Sequence, residues 1–159
     1  MKLLLFGLSG SGKSTTAQLL GSKYHISVYE ADDEVMLINN NIWPDNDKTI
    51  DRGFAIANEK ALKQDNLVFV TTWLSKLDFH RFVKQGYQVI VLHADFEELV
   101  HRKIARDNSS HAHIIKFKDT YKEYMEYISD SNISKNILVS LNTTKLLPED
   151  IVKAISNYL

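Results

Sequence analysis

The chain of 159 residues has no cysteine, only two prolines and only six glycines. Without cysteine there are no disulfides and no thiolate metal sites, which fits a reducing, cytoplasmic setting. An excess of charge of either sign is missing too: 19 Lys and Arg stand against 20 Asp and Glu, for a formal net charge of −1. Bulk electrostatics therefore draw it neither to nucleic acid nor to an anionic membrane, and only a local basic groove would make nucleic acid a partner. Long apolar runs are absent as well. The early run Leu3 to Phe6 is far short of the roughly 18 residues of a membrane span, and no secretory leader is visible, so no membrane association is expected. The triplets Asn108-Ser109-Ser110 and Asn142-Thr143-Thr144 match the glycosylation pattern but need a secretory route for which the chain shows no signal. With 44% hydrophobic and 25% charged residues, the composition suits a single globular domain over 1–159.

Glycine is scarce, and half of it sits between positions 7 and 12. The stretch Gly7-Leu8-Ser9-Gly10-Ser11-Gly12-Lys13-Ser14 follows the apolar run Leu3-Leu4-Leu5-Phe6 and precedes the helix-forming Thr15-Thr16-Ala17-Gln18-Leu19-Leu20. Strand, G-x-x-x-x-G-K-S loop, helix is the context of a phosphate-binding loop. The glycines let main-chain N–H groups turn inward around phosphate oxygens, at the end of a helix whose dipole favours negative charge. Gly7, Ser9, Gly10, Ser11, Gly12, Lys13, Ser14 and Thr15 are the expected nucleotide contacts, with Lys13 on the outer phosphates and the Ser14 hydroxyl on Mg²⁺.

The remaining chain alternates strand and helix signals. His25 to Tyr29 reads as a second strand that ends at the acidic cluster Glu30-Ala31-Asp32-Asp33-Glu34, and residues 37–48 read as a loop rich in turn formers. Helices are expected over 49–64 and 76–85, the latter stopped by Gly86, with a strand at Leu67 to Thr71 between them. A fourth strand spans Tyr87 to Leu92, and Asp95 with Glu98 forms a capping pair for the helix that follows. Asn108 to His113 reads as a mobile polar loop, and Phe117, Tyr121, Tyr124, Met125 and Ile128 form a helical core stripe. A fifth strand, Ile137 to Leu141, precedes a closing helix opened by Pro148. This alternation implies an α/β fold, a parallel sheet covered by helices on both faces.

In such sheets ligands gather at the carboxyl ends of the strands, where the loop already lies. The acidic cluster arrives at the same rim, so a carboxylate there suits proton acceptance from an attacking hydroxyl, or Mg²⁺ binding. Asp32 is the choice for both. The alternative is that Asp33 only caps the next helix and Glu34 decorates its surface. Arg102 and Arg106, four residues apart on one helix, share a face and suit the charge on a transferring phosphoryl group; the alternative pairs them with Glu97, Glu98 or Asp107 on an exposed face. Arg52, and more weakly Asp33, suit contacts with the substrate, while Trp43 and Trp73 suit either ring stacking or surface packing. His111 and His113 lack a third ligand nearby, which argues against zinc. The third strand ends at Thr71-Thr72 rather than in an aspartate, unlike an ATPase motor of the usual build.

Taken together, Gly7 to Ser14, Ala31-Asp32-Asp33 and Val89 to Leu92 with Asp95, Leu99, Arg102 and Arg106 resemble the small P-loop kinases, the group of shikimate, gluconate and nucleoside-monophosphate kinases, chloramphenicol phosphotransferase and polynucleotide kinase domains. The resemblance implies a three-layer P-loop NTPase fold with five parallel strands ordered 2-3-1-4-5 and a short lid at about 102–116. It also implies that Asp32 is base or substrate anchor, that Arg102 and Arg106 hold phosphates in a closed state, and that the region of Asn142, Thr143 and Lys145 meets the adenine ring. No glycine triplet follows the third strand, and no long cysteine-bearing lid is present, both departures within the group. The expected activity is ATP- and Mg²⁺-dependent transfer of a γ-phosphoryl group to a small-molecule or nucleotide acceptor; a polynucleotide 5′-hydroxyl kinase and a non-catalytic nucleotide switch stand as alternatives. ATP is favoured over GTP because the N-K-x-D signature for guanine is missing.

Overall fold

A computed structural model describes residues 1–107 and 111–159, the side chains of 107 and 111–113 excepted. The strands are β1 (Lys2–Phe6), β2 (Ser27–Glu30), β3 (Leu67–Thr71), β4 (Gln88–His93) and β5 (Ile137–Asn142), and the longer helices are α1 (Lys13–Tyr24), α2 (Ala31–Leu37), α3 (Asp47–Ala61), α4 (Lys76–Lys84), α5 (Phe96–Asp107) and α6 (His111–Ser129). A single turn, α7 (Ser131–Ser134), and the closing helix α8 (Pro148–Ser156) complete the elements. The strands form one parallel sheet in the order β2-β3-β1-β4-β5, as the resemblance implied.

Strand pleat decides which side chains go to which layer. Leu4 and Phe6, Leu67 and Phe69, and Val89 and Val91 face one side, where they meet Ala57 and Ala61 of α3, Phe79 and Phe82 of α4, and Phe117, Tyr124 and Ile128 of α6. Their sequence neighbours Leu3 and Leu5, Val68 and Val70, and Ile90 and Leu92 face the other side, against Ala17 and Leu20 of α1 and Ile151, Val152 and Ile155 of α8. Continuous apolar strands of this kind belong to a sheet buried on both faces. The stripe expected on α6 is core, and the predicted end of α4 is confirmed by Gly86 at φ 82°.

Several local readings are corrected. Residues 31–37, read as a strand end and the start of a loop, form α2, and α3 begins at Asp47, so the loop between them shrinks to 38–46. Two turns are too short for an apolar period to show, and three successive acidic residues hide the inward face, which is Ala31, Glu34 and Val35. Glu34 is therefore not surface decoration: it is buried and accepts from Tyr29 Oη and Lys60 Nζ, both at 2.7 Å. Asp33 is not a cap either, because Glu30 occupies the cap position. His25 belongs to the end of α1, in left-handed conformation at φ 55°, so β2 starts later than read. Glu98 does not reach back to Asp95; its carboxylate holds Arg102 Nε at 2.7 Å, and Asp95 Oδ1 accepts from Asn142 Nδ2 at 3.0 Å. Finally, residues 111–113 of the expected polar loop open α6, while 108–110 lie outside the described residues, as do the His111 and His113 side chains.

Candidate active site

The turn from β1 into α1 carries two glycines in the left-handed region, Gly10 at φ 86° and Gly12 at φ 90°. Gly12 is the residue before α1, and Thr16 N donates to its carbonyl at 3.0 Å. The amides of Lys13, Ser14 and Thr15 thus belong to the first helical turn, where no intrahelical acceptor exists and the dipole is positive. Gly7 is constrained by space: a Cβ there would sit 2.3 Å from the Leu92 carbonyl oxygen and 2.6 Å from Ser11 Oγ. Ser11 is fully buried beneath the loop, its N–H donating to Leu8 O at 3.1 Å. Gly7 and Ser11 shape the loop, whereas Ser9, Gly10, Gly12, Lys13, Ser14 and Thr15 line the cleft above it, a cavity of about 530 Å³.

Lys13 is buried and donates from Nζ to Leu8 O at 3.0 Å. Burial lowers its pKa from 10.5 to about 8, against the attraction of Asp32 and Glu30. Across the cleft β2 ends in Glu30, whose Oε2 accepts from the Ser14 hydroxyl at 2.6 Å. Asp32, two residues on in α2, lines the same cleft, and burial raises its pKa from the usual aspartate value despite Lys13. Glu30 is the residue that the sequence reading left without a role of its own. Its place in the acidic cluster was the available signal, but only the β2 to α2 turn shows which carboxylate meets Ser14.

On the opposite wall α5 presents Arg102 and Arg106 to the cleft. Arg106 Nη2 donates to Ser9 Oγ at 2.9 Å. Arg102 is tied more deeply: its Nη1 donates to Gly10 O at 3.0 Å, its Nη2 to Thr143 O at 2.9 Å, and its Nε is held by Glu98. Both readings of this arginine meet in one residue, since it pairs with Glu98 and borders the cleft. Thr143, buried after β5, donates from Oγ1 to Ser11 O at 3.1 Å, so the segment expected near an adenine ring is fastened to the loop.

Beyond Asp32 the cleft adjoins a second cavity, also about 530 Å³, which shares Ser9, Asp32, Thr72 and Arg106 with the first. Trp43 and Trp73 line this second chamber. Two expected substrate contacts lie apart: Asp33 and Arg52 are exposed and border neither cavity. Among the described residues no three acidic or histidine side chains gather to hold a metal unaided. The oxygens of Ser14, Glu30 and Asp32 nevertheless form a hard donor set at one wall of the cleft.

A parallel sheet of this order, with a phosphate-binding loop after β1 and a charged cleft at its rim, has the fold of the small P-loop kinases. A family model described as AAA domain matches residues 3–128, and the chain belongs to that family. A curated relative, a cytidylate kinase of Sulfolobus acidocaldarius, is 25% identical over 170 residues, covering 98% of this chain and 92% of its own length. Among solved structures, a shikimate kinase from Acinetobacter baumannii in complex with shikimate superposes with a TM-score of 0.79 at 16% identity, covering 98% of this chain and 90% of that one. A gluconokinase from Sinorhizobium meliloti gives a TM-score of 0.69 at 16% identity, covering 99% and 90%. Among the described residues no helix is long and apolar enough to cross a membrane.

Proposed function

We propose that this chain is an ATP- and Mg²⁺-dependent kinase that moves the γ-phosphoryl group to a small-molecule or nucleotide acceptor. The observation that carries the reading is that Lys13, Asp32 and Arg106 border one cleft, and that Asp32 and Arg106 also border the chamber beside it. Two adjoining cavities with shared charged walls suit two ligands that exchange a group.

The triphosphate lies in the first cavity, its oxygens on the amides at the start of α1 and its outer phosphates on Lys13. Mg²⁺ fits the oxygen donors present: Ser14 and Asp32 would hold it, with Glu30 alongside. When bound, the ion offsets charge on the phosphates. An acceptor oxygen in the second chamber bonds to the γ-phosphorus as the bond to the bridging oxygen breaks, and ADP leaves with the electron pair. Where that oxygen carries a proton, Asp32, which borders both cavities, takes it. Arg106 and Arg102 stand at the cleft wall where charge on the moving group develops. The described parts of the lid at about 102–116 would be the second half of α5 and the start of α6.

Calorimetry tests the donor half of this reading. ATP binds with Mg²⁺ present, and Lys13→Met weakens it by about tenfold or more. Heat of binding that is indifferent to both magnesium and Lys13 overturns it.

A further inference from the structure

This inference rests on the kinase reading and concerns the acceptor. The second chamber has an aromatic wall made by Trp43, Phe54 and Trp73, and charged groups at Asp32, Lys103 and Arg106. The chain has two tryptophans, and both line this chamber with nearly half of their surface exposed, 47% for Trp43 and 44% for Trp73. The backbone that carries each is held in place. Trp43 follows a self-bonded turn in which Asn40 and Asn41 adopt left-handed φ of 56° and 63°, Asn41 N donates to Met36 O at 2.8 Å, and Asn39 Nδ2 donates to Ile42 O at 2.9 Å; buried Pro44 comes next. Trp73 is fixed just past β3, where Thr71 Oγ1 donates to its carbonyl at 3.1 Å and its ring lies 6.1 Å from that of Tyr127.

Two half-exposed indoles on separately held backbone segments therefore line the chamber beside the carboxylate that the donor cleft shares. The chamber also carries the hydroxyls of Ser9 and Thr72, which suit polar groups on any frame; what sets it apart is the aromatic wall, on which a saturated frame cannot stack. A flat ring gains from stacking on indole faces. We propose that the acceptor is a compound with a planar aromatic ring of nucleobase size, seated against Trp43 and Trp73, and that these two residues determine acceptor specificity.

Both tryptophans of the chain report on this chamber, so its intrinsic emission reads acceptor binding directly. With the donor site filled by a non-hydrolysable ATP analogue and Mg²⁺, cytidine, adenosine and their 5′-monophosphates are titrated against shikimate and gluconate. Ring compounds shift or quench the emission and the saturated compounds do not; the nucleoside and monophosphate arms show whether the phosphate adds to binding. In kinetics, Trp43→Leu and Trp73→Leu each raise the acceptor KM by about tenfold or more, leave the KM for ATP unchanged, and are largely rescued by Trp→Phe. Circular dichroism of each variant confirms the fold. Emission that ignores every ring compound, or leucine variants with unchanged acceptor KM, overturns the inference. If label from ATP reaches a saturated acceptor instead, the kinase reading stands and this inference falls; if ring compounds move the emission but nothing is phosphorylated, the kinase reading falls and only ring binding at the two tryptophans remains.

Discussion

The guanidinium of Arg102 donates to the carbonyl oxygen of Gly10 at 3.0 Å, which ties α5 to the phosphate-binding loop across 92 positions of sequence. The same side chain reaches Thr143 O at 2.9 Å, so one cation joins the loop, the helix after β4 and the turn after β5. A group with this many backbone partners positions the loop as well as bordering the cleft.

Removing it should therefore be felt in two ways. Arg102→Ala is expected to lower stability by about 1–3 kcal/mol, since charge-assisted bonds to partly buried carbonyls are lost, and to weaken nucleotide binding because Gly10 is released. Glu98→Ala, which removes the Nε partner, should give a weaker version of both effects. Denaturant unfolding and ATP titration check this; an Arg102→Ala protein with unchanged affinity would show that the tie does not shape the site.

The two kinds of glycine constraint in the loop predict different outcomes on substitution. Gly7→Ala would force a Cβ to within 2.3 Å of a backbone oxygen of β4, and neither strand can shift without breaking the sheet. A loss of about 3 kcal/mol or more is expected, at the upper end for overpacking. Gly12→Ala meets nothing within 4 Å, so its cost is the left-handed backbone alone, about 1–2 kcal/mol. Equilibrium unfolding of the two variants side by side would contradict this if Gly12→Ala proved the more damaging.

The lowered pKa of Lys13 gives a signed pH dependence. In the free protein Lys13 holds its proton below about pH 8 and loses it above, whereas an unburied lysine keeps it to 10.5. Above pH 8 the site must regain a proton to hold a phosphate, so ATP affinity should fall as pH rises, by up to about tenfold per unit, until the pKa of the complex is reached. Stability runs the other way: between about 8 and 10.5 the unfolded chain binds more protons than the folded one, so folding strengthens with rising pH. Calorimetric Kd values at steps from pH 7.5 to 9.5, in wild type and in Lys13→Met, test this; a wild-type affinity flat across that range contradicts it.

Much of the architecture can be read from the sequence because its signals are local and repeated. Each strand of the buried sheet is a short apolar run, and α8 begins at Pro148 where the proline marks it. Only the strand order needed the likeness to a known family. What escaped reading depends on distant contacts. α2 is hidden because Glu34, a charged residue, takes a core position that Tyr29 and Lys60 make tolerable, a pairing separated by 26 residues on the lysine side. In the site, the loop glycines, Lys13 and Ser14 are legible from one motif. That Glu30 rather than Asp33 joins Asp32 at the cleft is decided by where β2 gives way to α2, a boundary that composition does not mark. Arg52 attracts a substrate role by its charge and its place after the acidic cluster, yet the register of α3 turns it to solvent, whereas Phe54 two residues on reaches the second chamber.

The most direct measurement follows the γ-phosphate itself. With γ-labelled ATP, Mg²⁺ and a panel of ring-bearing and saturated acceptors, the label should leave ATP and appear on an acceptor. Asp32→Asn should slow that transfer to a hydroxyl acceptor by about a hundredfold or more while ATP still binds. Label that appears only as inorganic phosphate, or an Asp32→Asn protein that transfers at the wild-type rate, would contradict a reaction between the two chambers.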